Sequence, residues 1–129
     1  MEEEKRFKIV HENMGQSGYY YILLHPNCKK DMAEVSQIIS GICRSEGLAP
    51  QSIILDCTQL KHASNLTKLN LSEVLKLGHR PPGLRRFCIV STSLLVETFA
   101  KGIIKLKKAK EYTHLCSTVE QALALLVTS

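Results

Sequence analysis

The stretch Ser52-Ile53-Ile54-Leu55-Asp56-Cys57 decides the fold. Three aliphatic residues in a row leave no polar side for water. The run therefore reads as a buried strand, and its polar end marks where the chain leaves the sheet. Downstream comes a polar loop over residues 58–65, then a helix over 66–77. That helix carries apolar positions at Leu66, Leu69, Val74 and Leu77. Gly78 stops it, and Pro81-Pro82-Gly83 forbids an extension. A second strand follows over 86–91. Thr92-Ser93 then caps a helix over 94–107, with Leu95, Phe99, Ile103 and Leu106 stacked on one side. Residues 112–116 make a last, shorter strand. Ser117-Thr118-Val119-Glu120 matches the capping box S-x-x-E and opens a closing helix over Val119–Val127.

Upstream, residues 7–10 and 19–24 are β-prone, and Gly15-Gln16-Ser17-Gly18 supplies turn chemistry for a hairpin. The second of these runs is apolar throughout, as a central strand covered on both faces requires. Tyr19, Tyr20 and Tyr21 alternate across it, so no single face collects all three. A helix over 28–46 places Met32, Val35, Ile39, Ile42 and Cys43 on one face, between Asn27 as N-cap and Gly47 as terminator. The order is β-β-α-β-α-β-α-β-α. The fold class is α/β: a mixed sheet of about five strands, an N-terminal hairpin followed by parallel units, with helices packed against it. With 129 residues and no internal repeat or linker, residues 1–129 read as one domain.

This order and the ends of its strands resemble the STAS/SpoIIAA-like (anti-sigma-factor-antagonist-like) family. The likeness is carried by Ile53-Ile54-Leu55-Asp56 with its polar loop and helix, by Phe87-Cys88-Ile89-Val90 leading into a helix, and by the closing run 117–126. It implies a SpoIIAA-like fold and action through a protein partner. The family's mark is an Asp-Ser-Ser-Gly loop with a phosphorylated serine. Here the loop reads Lys61-His62-Ala63-Ser64-Asn65-Leu66-Thr67, which puts Ser64 at the family's Asp and Asn65 at its phosphorylated serine. The chain looks like a divergent branch that lacks the switch.

Composition narrows the function classes. With 44% hydrophobic residues and no Trp, the chain can fill one aliphatic core without disulfides or metal. Five cysteines, an odd number with no C-x-x-C pair, read as reduced core residues. The five histidines show no metal-ligand spacing and the seven glycines form no phosphate loop, so neither metal nor cofactor is expected. Residues 2–6 are all charged and no apolar run approaches the ~20 residues of a membrane span, which points to a soluble, cytoplasmic protein. The net charge of +5 is uneven, −2 over residues 1–60 and +7 over 61–129. Lys101, Lys105 and Lys108 form a cationic patch at helical spacing. Without interleaved aromatics it reads better as a solvated face complementing the helix dipole than as a nucleic-acid surface.

In a sheet of this kind ligands sit beyond the carboxyl ends of the parallel strands. The candidate binding residues are therefore Asp56, Thr58, His62, Ser64 and Asn65 from one loop, and Ser91, Thr92 and Ser93 from another. Small hydroxyls there favour an anionic group at a helix N-terminus; their ordinary role as caps competes. As chemistry the edge is incomplete. His62 with Ser64 lacks an orienting group and an oxyanion donor, and no G-x-S-x-G elbow occurs. Cys57 or Cys116 with His114 offers a buried thiol only. The reading leans away from catalysis, with His62 and Asp56 the one pair worth testing as an enzyme. Three functions stay open: a protein-binding regulatory domain, with a homodimer among its arrangements; a carrier of a small anionic or apolar molecule, such as a lipid, with its pocket at the carboxyl edge; and an enzyme of unknown reaction.

Overall fold

The computed structural model describes residues 7–14, 17–25, 32–44, 50–60, 82–106 and 112–127. They contain five strands, β1 (Phe7–Met14), β2 (Ser17–Leu24), β3 (Gln51–Asp56), β4 (Leu84–Val90) and β5 (Thr113–Cys116). They contain three helices, α1 (Met32–Arg44), α2 (Leu94–Leu106) and α3 (Val119–Val127). The expected helix over 66–77 and the loop residues His62, Ser64 and Asn65 lie outside the described residues.

The sheet order is β1-β2-β3-β4-β5. β1 and β2 pair antiparallel, while β2, β3, β4 and β5 are parallel, as the alternating pattern requires. Met14 pairs with Ser17 and Asn13 with Gly18, so both hairpin strands run further than expected and Ser17-Gly18 belong to β2. Gly18 is needed there for closeness. A Cβ on it would stand 2.6 Å from the Glu12 carbonyl oxygen, 2.7 Å from Gln51 Oε1 and 2.9 Å from His11 Nε2.

Alternation along the strands builds two unlike faces. On one, Ile22, Leu24, Ile53, Leu55, Phe87 and Ile89 meet Val35, Ile39 and Cys43 of α1 and Val96 and Ala100 of α2. Crossovers of one hand through sequentially ordered strands place their helices on the same side. On the other face, Ile54, Cys88, Val90 and Cys116 meet Ala122 and Leu126 of α3, with Val119, Leu123 and Leu125 and the strand residues Tyr19 and Tyr21 packed around them.

Of the α1 face expected from the sequence, Val35, Ile39 and Cys43 are buried and Ile42 packs partly buried beside them. For α2 the structure corrects the expectation at Leu95, which is 64% exposed, while Val96, Ala100 and Ile104 are buried. The α3 cap is also displaced by one residue. Thr118 Oγ1 accepts from the Gln121 N–H at 3.2 Å, and Gln121 Oε1 accepts from the Ser117 N–H at 2.9 Å. The reciprocal cap is thus Thr118-x-x-Gln121 rather than Ser117-x-x-Glu120.

Candidate functional site

β2, β3, β4 and β5 all end at one edge, and the backbone ladder continues a step beyond them. The Cys57 N–H donates to the Val90 carbonyl at 2.8 Å and the Ser91 N–H to the Cys116 carbonyl at 3.0 Å. This extra step draws the first polar residues inward. Asp56 is 4% exposed and Ser91 is 1% exposed.

A carboxylate so placed needs donors, and it has them. Asp56 Oδ1 accepts from the Thr58 N–H at 2.9 Å and the Thr58 hydroxyl at 2.6 Å; Oδ2 accepts from the Tyr21 hydroxyl. Burial, and then this bond, push the Tyr21 hydroxyl well above the usual tyrosine range, so it stays protonated and donating. Ser91 Oγ accepts from the Ser93 N–H at 3.1 Å, and the Ser93 carbonyl accepts the first helical bond from Glu97 at 3.0 Å. Asp56 and Ser91 therefore shape the edge from beneath, by fixing the turns over which Thr58 and Ser93 stand. For an Asp56–His62 acid–base pair the consequence is direct: the carboxylate's two oxygens are already engaged by three donors.

The surface of the edge is made by their neighbours. Thr58, Gln59 and Thr92 are exposed and Ser93 is half-buried. His25 Nδ1 lies 3.1 Å from Gln59 Oε1, tying the end of β2 to the turn after β3. Beside them stand two leucines, Leu94, which is 75% exposed, and Leu95, which is 64% exposed although it was expected on the stacked face. The signal was present, because a doubled leucine at the first turn of a helix cannot turn both side chains to one sheet. Lys101 and Lys105 are exposed one helical turn apart on α2, while Lys108 lies outside the described residues.

The four described cysteines sit away from any reactive setting, and Cys28 lies outside the described residues. Cys43, Cys57, Cys88 and Cys116 are buried and form no disulfide. Burial pushes the Cys43 and Cys88 thiols up to about 12, and Cys116 is raised as well. His114, the partner imagined for a thiol, lies 2.9 Å from Arg86 Nη1 through its Nε2. Its pKa is lowered by burial and then by that guanidinium. Among the described residues no three His, Cys, Asp or Glu side chains gather as a metal site. No described helix is long and apolar enough to cross a membrane.

A second hollow lies off the edge. On the α3 face a groove of about 300 Å³ runs between the hairpin and the helix, lined by Lys8, Val10, Glu12, Tyr19, Tyr21, Val119 and Leu123. It exists because α3 packs over β3, β4 and β5 and leaves the hairpin side of this face without a helix among the described residues.

No protein-family model matches the chain, and no curated protein does. In structure it is similar to a crystal structure of an anti-sigma factor antagonist from Mycobacterium paratuberculosis, with a TM-score of 0.49 and 15% sequence identity over 92% of each chain. A likeness at this level transfers neither a partner nor an activity.

Proposed function

We propose that this chain is a non-enzymatic regulatory domain that binds a protein partner at the carboxyl edge of its sheet and works in the cytoplasm, where its thiols stay reduced. The observation that carries the reading is the pairing of exposed Leu94 and Leu95 with the polar rim of Thr58, Gln59, Thr92 and Ser93. Apolar side chains left in water beside adaptable hydrogen-bonding groups are what a protein interface uses, an anchor with a polar surround. The inward commitment of Asp56 and Ser91 supports it too, since the groups best suited to chemistry are engaged in holding the rim. The test is affinity capture with the double variant Leu94→Asp/Leu95→Asp, using Val127→Asp as the control for an exposed apolar residue elsewhere. Wild type and control should retain one common partner that the double variant loses. Retention by all three would contradict the reading.

A second reading has its own observation, the groove beside the hairpin. At about 300 Å³ it reaches the lower end of the range for small-molecule sites, and Val10, Val119 and Leu123 would suit an apolar or lipid-like body. Native mass spectrometry of freshly purified protein decides it. A retained mass above the polypeptide supports a carrier, and the bare polypeptide alone counts against one.

A further inference from the structure

We infer that β1 is a self-recognition strand, and that a second copy of this chain pairs antiparallel to it about a two-fold axis through Val10. β1 is the outermost strand and eight residues long, and among the described residues it pairs on one side only, with β2. Its other side offers a row of backbone donors and acceptors of the kind that another strand satisfies.

The side chains select the partner. A two-fold perpendicular to the sheet keeps each face on its own side, so opposed residues must come from the same face. On the groove face β1 presents Lys8, Val10 and Glu12, with both charged residues exposed. Centring the axis on Val10 sets Lys8 against Glu12 of the second copy, Glu12 against its Lys8, and valine against valine. Moving the register by two residues either way sets Val10 against a charge instead. The sequence Lys8-x-Val10-x-Glu12 is thus complementary to its own reverse, as an isologous contact requires. Glu12 is pre-positioned, since the Tyr19 hydroxyl donates to its Oε2 at 2.7 Å. Behind the strand His11 is held as well, stacked on Tyr20 with ring centroids 4.2 Å apart and its Nε2 2.9 Å from Gln51 Oε1.

The contact lies on the lateral margin of the sheet, apart from the carboxyl edge, and stands or falls independently of partner binding there. It has a structural consequence. Lys8, Val10 and Glu12 form the outer margin of the groove, so pairing joins two grooves into one trough across the axis, walled by α3 from each copy.

Sedimentation velocity over a concentration series tests the pairing with two charge reversals at exposed positions. Wild type should move from 14.5 kDa toward twice that mass. Lys8→Glu alone and Glu12→Lys alone each create two like-charge pairs per dimer and should weaken association by roughly tenfold or more. In an equal mixture of the two variants, the doubly acidic strand of one chain meets the doubly basic strand of the other. Both cross-strand pairs are then opposite in sign again, and the mixture should associate as wild type does. Circular dichroism of each variant confirms an intact fold before the comparison. A wild type that stays at the monomer mass, a Lys8→Glu chain that associates undiminished, or a mixture that does not recover, each overturns the proposal.

Discussion

The two faces of the sheet are built from the same strands but serve different ends. The face toward α1 and α2 is a mainly apolar layer in which Ile22, Ile53, Leu55 and Phe87 are fully buried. Each such side chain contributes about 1.5–3 kcal/mol relative to exposure, so this layer holds the fold together. The face toward α3 mixes Ile54 and Val90 with thiols, tyrosine hydroxyls and a buried carboxylate, and it is only partly covered. Alternation makes the difference possible: one residue faces a mainly apolar layer, while the next can carry a hydroxyl, a thiol or a carboxylate. The groove between the hairpin and α3 lies on the second face.

The comparison predicts unequal responses to substitution. Phe87→Ala, on the filled face, should cost about 3–5 kcal/mol of unfolding free energy in urea. Val10→Ala, in the groove, should cost about 1 kcal/mol or less. Equal losses would erase the distinction. Gly18→Ala should cost about 3 kcal/mol, since the new methyl meets the Glu12 carbonyl, a backbone atom that cannot swing aside. A lower melting temperature with unchanged far-ultraviolet dichroism is the expected signature.

Tyr21→Phe sharpens the polar half of the comparison. It leaves Asp56 Oδ2 without its donor in a buried position and should cost about 1.5–2 kcal/mol by chemical denaturation. A loss near zero would mean that the carboxylate finds water or another donor.

His114 adds a pH dependence on the same face. Its folded-state pKa is lowered from 6.5, by burial first and Arg86 second. The unfolded chain therefore takes up the proton first. Stability should be level above the ordinary histidine range and fall as pH drops through it, measured by urea unfolding between roughly pH 8 and pH 5. His114→Gln should flatten that slope. The smallest expected effect is at the rim: Leu94→Asp should shift stability by no more than about 0.5 kcal/mol, as an exposed anchor reserved for a partner would.

Much of the fold was legible in the residues. Ile53-Ile54-Leu55 announced a buried strand, Phe87-Cys88-Ile89-Val90 announced the next one, and Val35, Ile39 and Cys43 announced the buried line of α1. All are observed. What escaped reading depended on competition between near-equal patterns. α2 carries apolar residues on more than one face, so periodicity alone did not show that Leu95 is exposed while Val96, Ala100 and Ile104 are buried. Two overlapping boxes at 117–121 fit the cap rule equally, and only the helix start at Val119 separates them. For the site, the carboxyl edge followed from topology. The inward turn of Asp56 and Ser91 did not, because it depends on one extra rung of inter-strand bonding that no local pattern encodes.

Hydrogen exchange of the full chain, alone and with the partner it captures, tests the central claim most directly. Slowed exchange over residues 58–60 and 92–95, with the amides of α3 unchanged, is the expected result. Slowing confined to α3 and the hairpin, with the carboxyl edge exchanging as before, would contradict it.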